Sequence, residues 1–293
     1  MDFDLERYLT DRRALVESAL ARSLDAATGT PERLLEAMRY SLLAGGKRLR
    51  PILALAACEA VGGRPDDALA AACAVEFIHT YSLIHDDLPA MDDDDFRRGR
   101  PTSHKVFGEA LAILAGDALL TEAFRVLAEE GGDGRLGRAV LELARAAGSA
   151  GMVGGQVIDI VSTGKRLAIA ELEALHRAKT GELLLASVRT GALLGGAGDA
   201  DLACLDVYGR ALGLAFQIVD DVLDVTADLA TLGKDPGSDR DAGKSTFVDL
   251  LGIDGARARA HAVMDEGLAA LAPFGDRAAP LAALGRYTVE RDR

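Results

Sequence analysis

The stretch LAAACAVEFIHTYSLIHDD at 69–87 decides the fold: apolar residues fill nearly all of it, and its aspartates gather at the end. A run of this length rich in alanine and leucine, with no glycine or proline inside, reads as a helix that is apolar on most faces. The segment LDVYGRALGLAFQIVDDVLDV at 205–225 has the same plan, an apolar helix that closes on Asp220, Asp221 and Asp224. Such helices belong at the centre of a large bundle, so the predicted class is all-α.

Outward from these two helices the same period continues. Apolar residues recur every three or four positions through 3–24, 33–44, 48–61, 67–88, 103–129, 136–155, 170–194 and 200–227, with shorter amphipathic pieces from about 244 to the end. Thr30-Pro31 suits an N-cap followed by proline, and Gly45-Gly46, Gly62-Gly63, Gly131-Gly132 and Gly195-Gly196 suit helix ends. The best strand candidate, Gln156 to Val161, is short and isolated, and the glycines at 148–155 read as close helix contact. With no repeat and no long linker, a single domain over 1–293 is expected.

Composition agrees. The 293 residues are 49% hydrophobic but only 4% aromatic, with no tryptophan, which favours packed helices over sheets. A net charge of -13 argues against a nucleic-acid surface, which needs clustered lysine and arginine. Cys58, Cys73 and Cys204 are too few and too scattered for a disulfide framework or a zinc cluster. With no apolar leader and no uncharged run long enough for a membrane span, the chain reads as soluble and cytoplasmic.

The chemistry is carried by the acids. Gln217, Asp220, Asp221 and Asp224 are three or four residues apart on one helix face, and Asp86, Asp87 and Asp92 close the other apolar helix. Two carboxylates at about 4 Å repel by roughly 4 kcal/mol near a protein surface, a cost that a divalent cation reverses. Oxygen-only ligands suit Mg2+, with Mn2+ as the alternative. A solvated helix end would explain one such cluster; two, each closing an apolar helix, favour metal. An EF-hand is disfavoured, because the required glycine and glutamate do not follow Asp92. His79 and His85 have no zinc-type partners, and Gly237 to Ser245 has the wrong spacing for a phosphate-binding P-loop. Basic groups stand near the acids at GGKRLRP (45–51), RRGRP (97–101), Lys179-Thr180 and Leu232-Gly233-Lys234, and such groups recognise phosphates.

Seven blocks in order carry a resemblance over nearly the whole chain: GGKRLRP at 45–51, HTYSLIHDDLPAMDDDDFRRGRPT at 79–102, GDALL at 116–120, GGQVIDI at 154–160, KTGELL at 179–184, FQIVDDVLDVT at 216–226 and LGKDPGSDRDAGKST at 232–246. The chain resembles the trans-isoprenyl diphosphate synthases, most closely the bacterial farnesyl diphosphate synthases. The resemblance implies an isoprenoid synthase fold, a large helical bundle around a central cavity. It further implies that Asp86, Asp87, Asp92, Asp220, Asp221 and Asp224 hold Mg2+ on an allylic diphosphate. Arg97, Lys179, Thr180, Gln217 and Lys234 would contact that substrate, and Lys47, Arg50, His79 and Arg98 would form the isopentenyl diphosphate pocket. Gln156, Asp159 and Lys244 would support them.

The mechanism implied is departure of the allylic diphosphate, attack on the resulting cation by the isopentenyl alkene, and proton loss to the released diphosphate. The resemblance also implies a homodimer. Farnesyl diphosphate is the expected product: Tyr81, five residues before Asp86, would end the tail channel about 7.5 Å along the helix, although helical angle alone favours Ser82. A geranyl or geranylgeranyl diphosphate synthase is the alternative. A terpene cyclase is less favoured because its second metal motif mixes other residue types with acids, and a silent partner subunit because such subunits usually lack aspartates that this chain keeps.

Overall fold

The computed structural model describes residues 3–129, 134–226 and 244–291. Thirteen α-helices run through these segments. The first four are α1 (Leu5–Asp25), α2 (Glu32–Leu42), α3 (Leu49–Ala60) and α4 (Leu69–Asp86). Next come α5 (Ser103–Phe107), α6 (Glu109–Glu129), α7 (Gly134–Ala147), α8 (Met152–Ser162) and α9 (Ile169–His176). The last four are α10 (Glu182–Leu194), α11 (Asp199–Thr226), α12 (Phe247–Ala269) and α13 (Ala279–Glu290). The all-α expectation holds, and Gly131-Gly132 and Lys234 lie outside the described residues.

Helices α4 and α11 are central, as expected for helices apolar on most faces. Around α4 the cores of α1, α2 and α6 join through Leu20, Met38, Phe77, Ile78 and Leu119. Around α11 a second cluster gathers α3, α10 and the C-terminal helices through Leu53, Leu184, Leu205, Tyr208 and Leu281. Each such side chain contributes about 1.5–3 kcal/mol on burial. Pro65–Asp86 and Asp199–Thr226 are long and apolar enough to cross a membrane by composition alone; here 72% and 56% of their apolar windows are buried inside the bundle, so core packing accounts for their character.

Several boundaries differ from the periodicity. The helix predicted at 103–129 breaks at Gly108, whose φ of 85° lies in the left-handed region. The stretch predicted at 136–155 divides into α7 and α8 across the glycine-rich turn at 148–151. Gln156 to Val161 is no strand: it lies within α8, where helical hydrogen bonding overrides the β propensity of valine and isoleucine. Thr30 does not cap α2; the cap position is Pro31, and the Thr30 hydroxyl donates to Ala27 O at 2.8 Å. The pieces after 244 are longer than read: α12 runs to Ala269, kinked at Gly252.

Two local devices place basic side chains near the first acidic motif, Lys179 beside Asp86 and Arg97 on Asp87. Residues Arg177–Gly181 form a π-helical turn between α9 and α10, a wider winding that recurs at functional sites. A two-residue hairpin, β1 (Phe96–Arg97) and β2 (Arg100–Pro101), pairs Phe96 with Pro101 and Arg97 with Arg100. Arg98 and Gly99 at its tip both have positive φ, 53° and 72°, which closes so tight a turn.

Candidate active site

The first acidic motif straddles the end of α4. The chain folds back after it, so that the Asp92 amide donates to Asp86 O at 2.9 Å and Asp92 lies beside Asp86. Asp87 points the other way, 3% exposed, and accepts from Arg97 Nε at 2.6 Å, while Arg97 also reaches Asp94 at 3.1 Å. Burial, opposed by Lys179, pushes the Asp86 carboxyl up to about 6; burial, opposed by Arg97, does the same for Asp87.

The second motif occupies the last two turns of α11. Asp220 accepts from Arg291, whose guanidinium also donates to Phe216 O at 3.2 Å and lies over the Phe216 ring at 4.2 Å. Asp221 is buried and accepts from the Phe247 amide at 2.7 Å, which fixes the start of α12. Asp224 is buried as well, and Gln217 sits one turn before Asp220 on the same helix, half-buried. Thus Asp87, Asp220 and Asp221 are all engaged by protein groups. Among the described residues, a three-ligand grouping with atoms within 4.8 Å forms at Asp93, Asp95 and His104, which the sequence reading did not single out. The six predicted acids do not form such a grouping among themselves.

Many of the remaining predicted residues line two adjoining cavities, whereas Gln217 lines neither and Arg97 lines a third, smaller one with Asp87, Arg98 and Thr102. One, of about 390 Å³, is lined by Lys47, Arg48, Arg50, His79, Arg98 and Arg291, with Phe216 and Tyr287. With Arg13 it collects six cationic side chains and a histidine against one carboxylate, Glu76, which pairs with Arg48, and the surplus of positive charge suits an anionic group such as a diphosphate. Burial, then the nearby Arg50, holds the His79 imidazole well below its usual pKa and therefore neutral. Arg98 is oriented by donating to Gly45 O, and its guanidinium lies 2.9 Å from where a Cβ on Gly46 would stand.

The second cavity, of about 420 Å³, is mostly apolar and takes Tyr81, Ser82, Asp86, Met152, Val157, Gln156, Lys179 and Thr180 in its lining. Arg50 and His79 line both cavities. The π-turn presents Lys179 and Thr180, and two glycines seat that turn: a Cβ on Gly155 would fall 2.2 Å from Lys179 N, and one on Gly213 would fall 2.8 Å from Gly181 Cα. The close helix contact read at 148–155 is therefore present. Asp159 accepts from Lys179 Nζ at 2.5 Å and stands 3.6 Å from Lys244 Nζ through the same oxygen. Those lysines hold its carboxyl below the ordinary value despite burial, which opposes them.

Tyr81 is 6% exposed at the cavity wall, its hydroxyl pushed up to about 12 by burial. Ser82 lines the same wall and donates to His79 O at 2.9 Å.

One residue that sequence reasoning missed is Arg48. It sits in the GGKRLRP block but turns inward, with φ 52°, to pair with Glu17 at 2.7 Å and Glu76 at 2.5 Å and to donate to Leu42 O at 2.6 Å. The available signal was Glu76, a lone acid inside the apolar run of α4.

The two cavities share a wall, one of them rich in cationic side chains and the other mostly apolar with Asp86 in its lining, inside an all-helical bundle. A model of the polyprenyl synthetase family matches residues 31–270. The chain is 50% identical over 258 residues to the farnesyl diphosphate synthase of Geobacillus stearothermophilus, covering 86% of each protein. It is 48% identical to the large subunit 1 of the chloroplastic heterodimeric geranylgeranyl pyrophosphate synthase of Arabidopsis thaliana, over 99% of this chain and 80% of that one. The crystal structure of a putative farnesyl-diphosphate synthase from Marinomonas sp. MED121 superposes with a TM-score of 0.84 at 39% identity, covering 98% of this chain and 100% of that one. The chain belongs to the polyprenyl synthetase family and is a prenyltransferase with the isoprenoid synthase fold.

Proposed function

We propose that this enzyme condenses isopentenyl diphosphate head to tail with dimethylallyl or geranyl diphosphate and releases farnesyl diphosphate. The observation that carries the reading is the shared wall: Arg50 and His79 line both the basic and the apolar cavity, so two diphosphate substrates can meet there.

In this reading the isopentenyl diphosphate takes Lys47, Arg50, His79 and Arg98, while Lys179 and Thr180 on the π-turn, with Arg97, Gln217 and Lys234, hold the allylic diphosphate. The all-oxygen donors Asp86, Asp92, Asp220 and Asp224, backed by Asp87 and Asp221, suit Mg2+ and, less specifically, Mn2+. When bound, the metal would stabilise negative charge on the leaving diphosphate. Lys179 adds positive charge at the same place, positioned by Asp159. The apolar lining excludes water from the allylic cation, and the departing diphosphate accepts the proton.

The tail grows toward Tyr81 and Ser82, whose depth sets the farnesyl length. We also infer a homodimer. Ile158 and Val161 of α8, and Ile113 and Leu114 of α6, are each more than 40% exposed and line neither cavity, apolar surface that suits a second copy.

Incubation with labelled isopentenyl diphosphate and each allylic primer, followed by product chromatography, tests the reading. A farnesyl product bears it out; a geranylgeranyl product moves the channel's floor beyond Tyr81; no elongation sinks it.

A further inference from the structure

We infer that His85, seated in a slot opened by Gly116, forms the second half of the floor that sets product length. The inference rests on the proposed role of Tyr81 and deepens it.

His85 directly precedes Asp86 and lines the apolar cavity with it and with Tyr81. Its ring meets the Tyr81 ring edge-on, with centroids 5.7 Å apart and planes at 78°. The other side of the imidazole lies on α6, where Nε2 is 3.1 Å from Ile113 O and 3.9 Å from Asp117 Oδ1. A Cβ on Gly116 would stand 2.2 Å from Nε2 and 2.6 Å from Cδ2 of His85, so the ring fits only because that position is glycine.

Glycine inside a helix is about 1 kcal/mol worse than alanine, so its use in the middle of α6 calls for a packing reason. The imidazole supplies one. Tyr81 cannot tilt toward α6 because the His85 edge stands there. His85 cannot retreat because α6 backbone stands behind it. A tail pressing on Tyr81 is therefore resisted by the α6 backbone through His85.

The two halves of the device predict opposite effects. His85→Ala removes the backing, so the share of product longer than farnesyl should rise about fivefold, the scale of one lost aromatic contact. His85→Phe keeps a ring in the slot and should keep the wild-type distribution. Gly116→Ala pushes the imidazole into the cavity and should raise the geranyl share. In the double variant His85→Ala/Gly116→Ala there is no ring to displace, so the product profile should match that of His85→Ala.

The experiment compares product ratios of these variants and of Tyr81→Ala at matched turnover, with circular dichroism confirming the fold. Should Gly116→Ala fail to fold, His85→Ala and the double variant, which lack the clash, carry the test. A purely structural His85 would lower total activity without changing the ratio. If Tyr81→Ala lengthens the product and His85→Ala does not, the inference about His85 is wrong while the Tyr81 floor stands. If His85→Ala lengthens it and Tyr81→Ala does not, His85 is the floor by itself. If neither variant shifts the ratio, both readings fall.

Discussion

Arg291, near the end of the chain, holds Asp220 of the second acidic motif, and its side chain is only 7% exposed against 39% for the aspartate. It also lines the basic cavity. The guanidinium thus stands where a cation on Asp220 would have to enter, and it is within reach of the diphosphate pocket once displaced. Arg291→Gln should therefore act in two directions. Removing a partly exposed pair worth about 1 kcal/mol should tighten Mn2+ binding to the substrate-free enzyme about fivefold. The same change should raise the KM for isopentenyl diphosphate. Calorimetry and steady-state kinetics read the two effects, and weaker metal binding would remove the idea that Arg291 competes for Asp220.

Asp86 links stability to pH and metal. Burial raises its carboxyl to about 6, so between about pH 4 and 6 the folded protein holds a proton that the unfolded chain releases. Stability from this group is thus lost as pH rises through that window, and the ionised form is a full burden above it. In chelator at pH 7.5, Asp86→Asn should melt higher than wild type, with the gap closing toward pH 4. In excess Mg2+ the order should reverse, because a ligand at a hundredfold its Kd adds about 2.7 kcal/mol to the form that binds it. Thermal melts at the two pH values settle this, and no reversal in Mg2+ would argue that Asp86 holds no metal.

The Arg48–Glu76 pair lies inside the bundle, with both side chains 3% exposed or less. Arg48→Met strands the Glu76 carboxylate and should cost about 3–5 kcal/mol, whereas Arg48→Met together with Glu76→Leu should recover much of that loss. Urea denaturation of the two variants measures it. A single variant within 1 kcal/mol of wild type, the level of a surface ion pair, would mean that the pair is solvated.

The sequence made the central helices plain because α4 and α11 are apolar on most faces, which a bundle core accommodates. The grouping of Lys47, Arg50, His79 and Arg98 comes from the family resemblance and not from spacing; these four line one cavity, while Lys179 and Thr180 line another with Tyr81 and Asp86 but without Arg97 and Gln217. The sequence hid the π-turn at Arg177–Gly181, since a single wide turn leaves the apolar period nearly unchanged. It hid the inward turn of Arg48 because side-chain direction there depends on a left-handed backbone that spacing does not encode. The short strand candidate at Gln156 to Val161 is helical, because local β propensity yields to a helix whose glycine meets the π-turn.

That meeting point supplies a last prediction. Gly155 of α8 abuts the backbone of Lys179, and a Cβ there would lie 2.2 Å from the Lys179 nitrogen and 2.5 Å from its Cα. Backbone cannot swing aside as a side-chain tip can, so Gly155→Ala must push α8 off the π-turn. The overpacking should cost about 1–3 kcal/mol. Because Lys179 and Thr180 ride on the displaced turn, the KM for the allylic substrate should rise more than that for isopentenyl diphosphate, whose proposed contacts Lys47, Arg50, His79 and Arg98 ride on other elements. Gly137→Ala in α7 is the matched control: a Cβ at Gly137 meets nothing within 4 Å, so the change should stabilise the helix by about 0.5–1 kcal/mol and leave both KM values alone. Melting temperatures and two-substrate kinetics on the pair test this. If Gly155→Ala is destabilised but raises both KM values equally, α8 supports the bundle without aiming the π-turn.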